Sequence, residues 1–390
     1  MKILVLHTHY QQPGGEDECF RAELALLRSH GHDVVTYERR NDEIRQLAPV
    51  NLAAASIWNG RSYRDISRCI AAEKPEVMHC HNTFPLISPA VYYAAHHSGI
   101  PVVQTLHNYR LLCPNALLFR EGKPCEECLG KPLAWPGIAH KCYRDSRVLS
   151  LGVASMLAVH RGLGTWQRHV DAFFALSQFS RRKFIEGGLP AERIQVKPNF
   201  LPIDPGIGAG DGGYAIFVGR LSREKGLRTL LQAWRQIDVP LRIVGDGPLM
   251  ELKDSVAPGG SIEFLGRQPP DRVLQLIKAA RLLVAPSECY ENSPLAVLES
   301  FACGTPVLCS DLGAFREIVR DDVTGLKFAP GDAGDLADKA NALLRDGDRL
   351  AALRVAARRE YERKYTADAN YRILIDAYER VADRQQHAFA

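Results

Sequence analysis

Short apolar runs, each followed by a helical repeat, recur from the first residues of the chain. KILVLHT leads into a helical pattern near Glu18 to His30, then come HDVVTYE and, further on, EVMHCHN, PVVQTLH and DAFFALS. Strands rich in Val, Ile and Leu that alternate with helices predict a parallel sheet covered on both faces. Around VKPNFLPIDPGIGAGDGG the composition turns to Pro, Gly and Asp, which marks a linker. Beyond it the pattern restarts: YAIFVGR, a helix from Gly226, LRIVGDG, SIEFLG, a helix from Pro270, LLVAPS, and a helix that carries Glu299. Two doubly wound α/β domains joined by a hinge place a cleft at the carboxyl ends of both sets of strands. The expected divisions are 1–205, with a Cys-rich insertion over 113–142; 206–365; and a helix within 366–390 that could fold back on the first domain.

Length and composition narrow the function. A chain of 390 residues suits two domains of common size. A net charge of +4 gives no nucleic-acid footprint, and the slight basic tilt of the first half would suit an anionic membrane or a phosphorylated substrate. The N-terminal residues turn polar too soon for a signal peptide, and no run approaches the roughly 20 apolar residues of a spanning helix. A cytoplasmic protein, or one peripheral on the inner face of a membrane, is expected. Ten cysteines without a secretion signal argue for buried thiols or a metal site over a disulfide framework.

Phosphate chemistry is written at the predicted strand ends. After YAIFV comes GRLSREKG, where Gly219, Arg220 and Lys225 stand at the mouth of a helix N-terminus, a place suited to a diphosphate without a metal ion. GDGP supplies Gly245 and Gly247, which permit close backbone approach to a ligand. Gly14 and Gly15 form a second Gly-rich turn before a helix. That turn lacks the GxGxxG spacing and the Walker lysine, which argues against a nicotinamide cofactor or a P-loop nucleotide. In PSECYENSPLAVLESFACGTPV, Ser293-Pro294 reads as N-cap and first helical residue, with Gly304 as the stop. Glu291 therefore falls in the loop before that helix, and Glu299 inside it.

With GRLSREKG, GDGP, the two glutamates and CGTPV in this order, the chain resembles the retaining glycosyltransferases of family 4. These are GT-B enzymes, with two Rossmann-like domains facing a cleft. The resemblance extends over GGEDE, VKPNF and SDLGAFREIV. It implies that Arg220 and Lys225 hold the diphosphate of a nucleotide-sugar donor, that Glu299 binds ribose, and that Glu291 faces the donor sugar. The N–H groups of Ser293 and Leu295 would lie near the phosphates or sugar hydroxyls, Gly14 and Gly15 would let their loop approach the donor, and the base would rest on backbone near Leu265. The chain departs from many members of the family in having Asn292 and Ser293 after the first glutamate. His107, at the end of PVVQTL, is implied beside the donor sugar, binding a hydroxyl or polarising the reacting centre. A same-face displacement without a metal cofactor is the mechanism implied. Its substrates would be a UDP- or GDP-sugar and a glycan or lipid-linked acceptor, with bacterial surface polysaccharide biosynthesis as the setting. A nucleotide-sugar epimerase and a non-catalytic sugar-nucleotide binding protein share the architecture.

Three further features stand apart from that site. Cys113, Cys125, Cys128 and Cys142 form a C-x11-C-x2-C-x13-C array whose spacing suits a structural zinc. His79 and His81, two apart on a strand, share a face and either line the rim of the cleft or bind metal. VLSLGVASMLAV, between Arg147 and Arg161, is either a buried helix or one that lies on a membrane near a lipid-linked acceptor.

Overall fold

The computed structural model describes residues 1–12, 14–257 and 259–389. Ala390, the last residue of the expected C-terminal helix, lies outside them. The chain divides into two compact units: residues 1–118, 125–198 and 370–390 in the first, and 119–124 with 199–369 in the second. The division falls at Pro198/Asn199, inside VKPNF. The pair of short strands within 119–124 belongs to the second unit, although the cysteines on either side of it belong to the first.

The strands in chain order are β1 (Lys2–His9), β2 (Asp33–Arg40), β3 (Val77–Asn82), β4 (Val102–Leu106), the hairpin strands β5 (Phe119–Arg120) and β6 (Lys123–Pro124), β7 (Ala172–Ala175) and β8 (Ile194–Val196). Then follow β9 (Ala215–Val218), β10 (Leu241–Val244), β11 (Ile262–Gly266), β12 (Leu282–Ala285), β13 (Val307–Ser310) and β14 (Gly325–Phe328). The first unit carries a six-stranded sheet in the order β2-β1-β3-β4-β7-β8. The second carries another, β11-β10-β9-β12-β13-β14. Every pairing in both is parallel, as the apolar runs and intervening helices predict.

Alternation along the strands divides the second unit's core into two layers. Ala215 and Phe217 of β9 join Leu227, Leu230 and Trp234 on one face of the sheet. Ile216 joins Val297, Leu298 and Phe301 on the other. In the first unit, Ile3, Val5, Val77 and Val103 meet Phe20, Leu24 and Leu27 of the helix Gly15–Ser29. The same cluster takes in Leu374, Ala377, Tyr378 and Val381 of the helix Ala367–Phe389, so the C-terminal helix is part of the first unit's core. The apolar segment over 148–159 lies in the helix Arg147–Gly162, which buries Val153, Ala154, Met156 and Leu157 and leaves Val148, Leu151 and Val159 exposed.

Sheet order decides where ligands can sit. In each unit the strand order reverses once, between β1 and β3 in the first and between β9 and β12 in the second. Loops leaving two such strands part in opposite directions and open a crevice at their carboxyl ends. The loops after β9 and β12 hold GRLSREKG and SECYENSP.

The glycines of GDGP let a neighbouring loop of the protein come close. Gly245 has a φ of +140°, and a Cβ there would overlap the carbonyl oxygen of Gly219. A Cβ on Gly247 would press on the Leu221 carbonyl. Leu221 N–H in turn donates to the Asp246 carbonyl at 2.9 Å. The close approach is thus between two loops of the protein, and it fixes the shape of the basic loop. Gly245→Ala is expected to destabilise the protein by roughly 1–3 kcal/mol, seen as a lowered Tm. An unchanged Tm would contradict this account.

Candidate active site

In the second unit the crevice joins the two loops by direct contacts. Glu288 N–H donates to the Glu224 carbonyl at 2.8 Å, and Thr229 Oγ1 donates to Glu288 Oε1 at 2.6 Å. Gly226, in the left-handed region with a φ of +68°, turns the chain from a short 3-10 turn over Arg223–Lys225 into the helix Leu227–Trp234. A side chain there would overlap the Pro286 carbonyl.

Lys225 Nζ lies 2.6 Å from Glu291 Oε1, which also accepts from Ser287 Oγ at 2.6 Å. The sequence assigns these two residues to different parts of a ligand; the structure pairs them with each other. Burial alone would lower the Lys225 pKa, but the Glu291 carboxylate outweighs it and raises the ammonium above its ordinary range. Arg220, on the same loop, is exposed.

The helix expected from Ser293-Pro294 runs Leu295–Ala302, with Pro294 in the cap position and no side-chain cap. Ser293 is therefore not its N-cap. Its hydroxyl accepts from Asn199 N–H at 3.4 Å, and its carbonyl accepts from Asn199 Nδ2 at 2.9 Å. Asn199 of VKPNF thus holds the loop that carries Glu291 and Asn292, a role for which the sequence shows only a polar residue after Pro198. Glu299 is half-buried in the middle of the helix, and Gly304, with a φ of +67°, follows its end. Leu265, near the end of β11, has its carbonyl taken by Gln268 Nε2 at 2.6 Å.

In the first unit Gly14 caps the helix Gly15–Ser29 in an extended conformation, and a Cβ on it would meet no atom within 4 Å. The fold does not demand glycine there, and the space before it is open. Gly14 N–H donates to Asp17 Oδ2 at 3.0 Å, while Asp17 Oδ1 lies 2.9 Å from His7 Nε2 and 3.2 Å from His9 Nδ1. Burial works against the Asp17 carboxylate, yet His7, the Gly14 N–H and His9 together hold its pKa below the ordinary value. Glu16 Oε2 accepts from Tyr10 Oη and Asn108 Nδ2, both at 3.0 Å. Burial pushes the Glu16 carboxyl up to about 8 against those two hydrogen bonds.

His107 follows β4 and lines a pocket with His81, Asn82, Thr83, Asn108 and Arg110. Its Nε2 lies 2.9 Å from His81 Nδ1, and the two rings stack. Burial, then the neighbouring His81, holds the His107 pKa well below the ordinary imidazole value, so the ring is neutral at pH 7. His79 and His81 are both buried beside Glu23, whose Oε2 accepts from Lys197 Nζ at 2.6 Å, and of the two His81 lines the pocket. Reading the sequence for motifs passes over Glu23 and Lys197. The available signal was an acid at position 23 in the apolar stripe of Phe20, Leu24 and Leu27.

Among the described residues, two groups bring three metal-type ligand atoms within 4.8 Å of one another: His7–His9–Asp17, and Glu23–His79–His81. The four cysteines are not such a group, although Cys128 feels Cys113, Cys142 and Cys125. Burial, then these neighbours, pushes the Cys128 thiol up to about 12. Beside them, Arg161 donates to the carbonyls of Lys131 and Leu111 at 2.5 and 2.6 Å.

Residues 20–204 match the family described as Glycosyltransferase Family 4, and residues 207–360 match Glycosyl transferases group 1. A phosphatidyl-myo-inositol mannosyltransferase of Mycobacterium leprae is 32% identical over 243 residues, covering 58% of this chain and 64% of the relative. A D-inositol 3-phosphate glycosyltransferase of Nocardia farcinica is 31% identical over 231 residues, covering 51% of each. The chain thus spans between half and just under two thirds of the length of these curated relatives. Among solved structures, Anabaena HepE in complex with UDP and glucose superposes with a TM-score of 0.69 at 19% identity, over 97% of this chain and 99% of that one. At that identity the likeness is one of fold, and the fold is GT-B.

The raised Glu16 pKa has a consequence for stability. Folded protein keeps a proton that the unfolded chain releases above its ordinary pKa of 4.5. The contribution is therefore fully present below that value and lost as pH rises toward 8, at no more than about 1.4 kcal/mol per pH unit. Glu16→Gln is expected to lose less Tm than the wild type between about pH 5 and about pH 8. Parallel Tm curves for the two proteins would count against a proton-holding Glu16.

Proposed function

Because the chain belongs to family 4 of the glycosyltransferases, with GT-B architecture, we propose that it moves a hexosyl group from a UDP- or GDP-sugar to a glycan or lipid-linked acceptor with retention of configuration. Bacterial surface polysaccharide biosynthesis is the proposed setting. The observation that carries this reading is the Lys225–Glu291 pair at the strand-order reversal of the second sheet. An ammonium has three donors and Glu291 engages one, which leaves two for the oxygens of a diphosphate. Glu291 Oε1 is occupied by Lys225 and Ser287, and its second oxygen can accept from a hydroxyl of the donor sugar.

Bond cleavage between the anomeric carbon and the diphosphate builds positive charge on the sugar ring and negative charge on the leaving phosphate. Preorganised cations at the leaving group stabilise that separation without themselves reorganising. Lys225 meets this description through its fixed partner, and exposed Arg220 can close on the same phosphates. Glu299 is assigned to the ribose hydroxyls, Gly14 and Gly15 to close approach of their loop, and His107 to the sugar. The leaving phosphate takes the acceptor's proton on the same face, so no enzymic nucleophile and no metal ion is required. Solved neighbours of this fold hold UDP and UDP-glucose, which supports a nucleotide-sugar donor. Exposed Val148, Leu151 and Val159 beside exposed Arg147 are the proposed contact with a membrane that carries a lipid-linked acceptor. An epimerase would convert donor with no acceptor present, and the relatives lend that reading no support.

Lys225→Ala is expected to lower turnover at saturating donor at least tenfold, measured as release of nucleoside diphosphate in the presence of acceptor. Normal turnover in this variant would remove the basis of the assignment.

The cysteine array is proposed to hold a structural zinc through Cys113, Cys125, Cys128 and Cys142. The spacing of the four along the chain suits it, and the Arg161 guanidinium would offset the negative charge of a four-thiolate site. Elemental analysis of purified protein should find close to one equivalent of zinc; less than about a tenth of an equivalent would end the idea.

A further inference from the structure

We infer that Glu23 and His81 form a buried relay that fixes His107 in the tautomer protonated on Nε2, leaving Nδ1 as the ring's hydrogen-bond acceptor. The functional part of this inference rests on the reading of His107 as a contact to the donor sugar; the tautomer does not.

The argument runs outward from the carboxylate. Glu23 is 3% exposed and lies among Lys197, His79 and His81. Burial alone would raise its pKa, but Lys197, then His81 and His79, hold it well below the carboxylate range. An ionised carboxylate only accepts hydrogen bonds. His81 Nε2, 3.1 Å from Glu23 Oε1, must therefore carry a proton.

Burial pushes the His81 pKa down to about 3, so this ring holds one proton and its Nδ1 is bare. The 2.9 Å contact between that Nδ1 and His107 Nε2 then requires His107 to be the donor. His107 is neutral too, and its one proton is accounted for. The reverse assignment would set a bare nitrogen of His81 against the carboxylate at 3.1 Å, two acceptors facing each other in a buried site. Unmade and repulsive contacts of this kind cost more than a well-made hydrogen bond contributes.

The same contacts speak against a metal among Glu23, His79 and His81. Lys197 already places a cation 2.6 Å from Glu23 Oε2. His79 is engaged at both nitrogens, by Tyr378 Oη at 2.6 Å and Thr105 Oγ1 at 2.8 Å. Lys197 also lies 3.4 Å from Asn370 Oδ1, and Asn370 Nδ2 donates to the Pro198 carbonyl at 2.7 Å. The carboxylate that orients the relay is thus held in place by the C-terminal helix.

The relay narrows what His107 can do. With its proton committed to His81, the ring presents no donor toward a leaving oxygen. It can accept a hydrogen bond from a sugar hydroxyl. Glu23 and His81 are positioning residues, and His107 is the group that meets the substrate.

Two-bond proton–nitrogen correlation spectra of protein carrying 15N-histidine read the tautomer directly, with the His107 signals identified by their loss in His107→Gln. Wild-type His107 is expected to carry its proton on Nε2. In Glu23→Gln the side-chain amide can donate to His81 Nε2 and reverse both hydrogen bonds, so His107 should move toward the Nδ1-protonated form. A wild-type ring protonated on Nδ1, or an unchanged tautomer in folded Glu23→Gln, overturns the relay. Should that variant fail to fold, Glu23→Gln combined with Lys197→Met removes the stranded ammonium and is read in the same way. Transfer is measured with whichever of UDP-glucose and GDP-mannose raises Tm more. Glu23→Gln should lower its kcat at least fivefold while the Kd for the matching free nucleoside diphosphate stays unchanged. Full activity in His107→Gln would overturn the sugar contact and leave the tautomer result standing.

Discussion

Parallel pairing of all the strands in both large sheets is the constraint on which the rest depends. A parallel sheet has no tight turns between neighbours, so every connection must cross a face, and helices come to cover both faces. The carboxyl ends of the strands then open into loops of free length. Where the order of strands reverses, two such loops diverge and leave room for a ligand. In the second unit that place is between β9 and β12. Arg220 and Lys225 lie on one of those loops and Glu291 on the other, and the topology is what lets Lys225 meet Glu291.

The two units hold their chemistry in different ways. In the second, backbone does most of the shaping: Gly226, Gly245 and Gly247 bring three loops closer than side chains would allow. The charged pair Lys225–Glu291 sits on that frame partly exposed. In the first unit, side chains do the shaping. A buried ion pair between Glu23 and Lys197 needs both partners to offset the loss of hydration, and removing either one would leave an isolated charge in the interior. Such a pair is a poor source of net stability. Its consequence is directional, because a carboxylate fixed in one place dictates the proton positions on His81 and, through it, on His107.

Near the Gly14 turn, three acids differ sharply in character within eight residues. Burial dominates Glu16 and keeps its proton on, whereas Asp17 and Glu23 have donors or cations close enough to outweigh burial. In the sequence GGEDECFRAE nothing separates them. Whether a helical acid is neutral, a hydrogen-bond anchor or the head of a relay depends on what faces it from other elements: Tyr10 and Asn108, His7 and His9, or Lys197 and two histidines.

The sequence by itself determined the class of fold, the alternation of strands and helices, and the family. Each of these follows from local pattern or from short motifs, where neighbours in the chain are also neighbours in space. It also placed the helix stop at Gly304 and the basic loop after β9, since turn chemistry and strand ends are local properties. Tertiary structure alone decided that Lys225 meets Glu291, that Ser293 serves Asn199 in place of capping a helix, and that Gly245 makes room for a neighbouring loop. It alone revealed Glu23 and Lys197, which stand 174 positions apart and carry no motif. Contacts across that separation are set by how sheets and helices stack, and hydrophobic periodicity is silent about which polar groups the stacking will bury together.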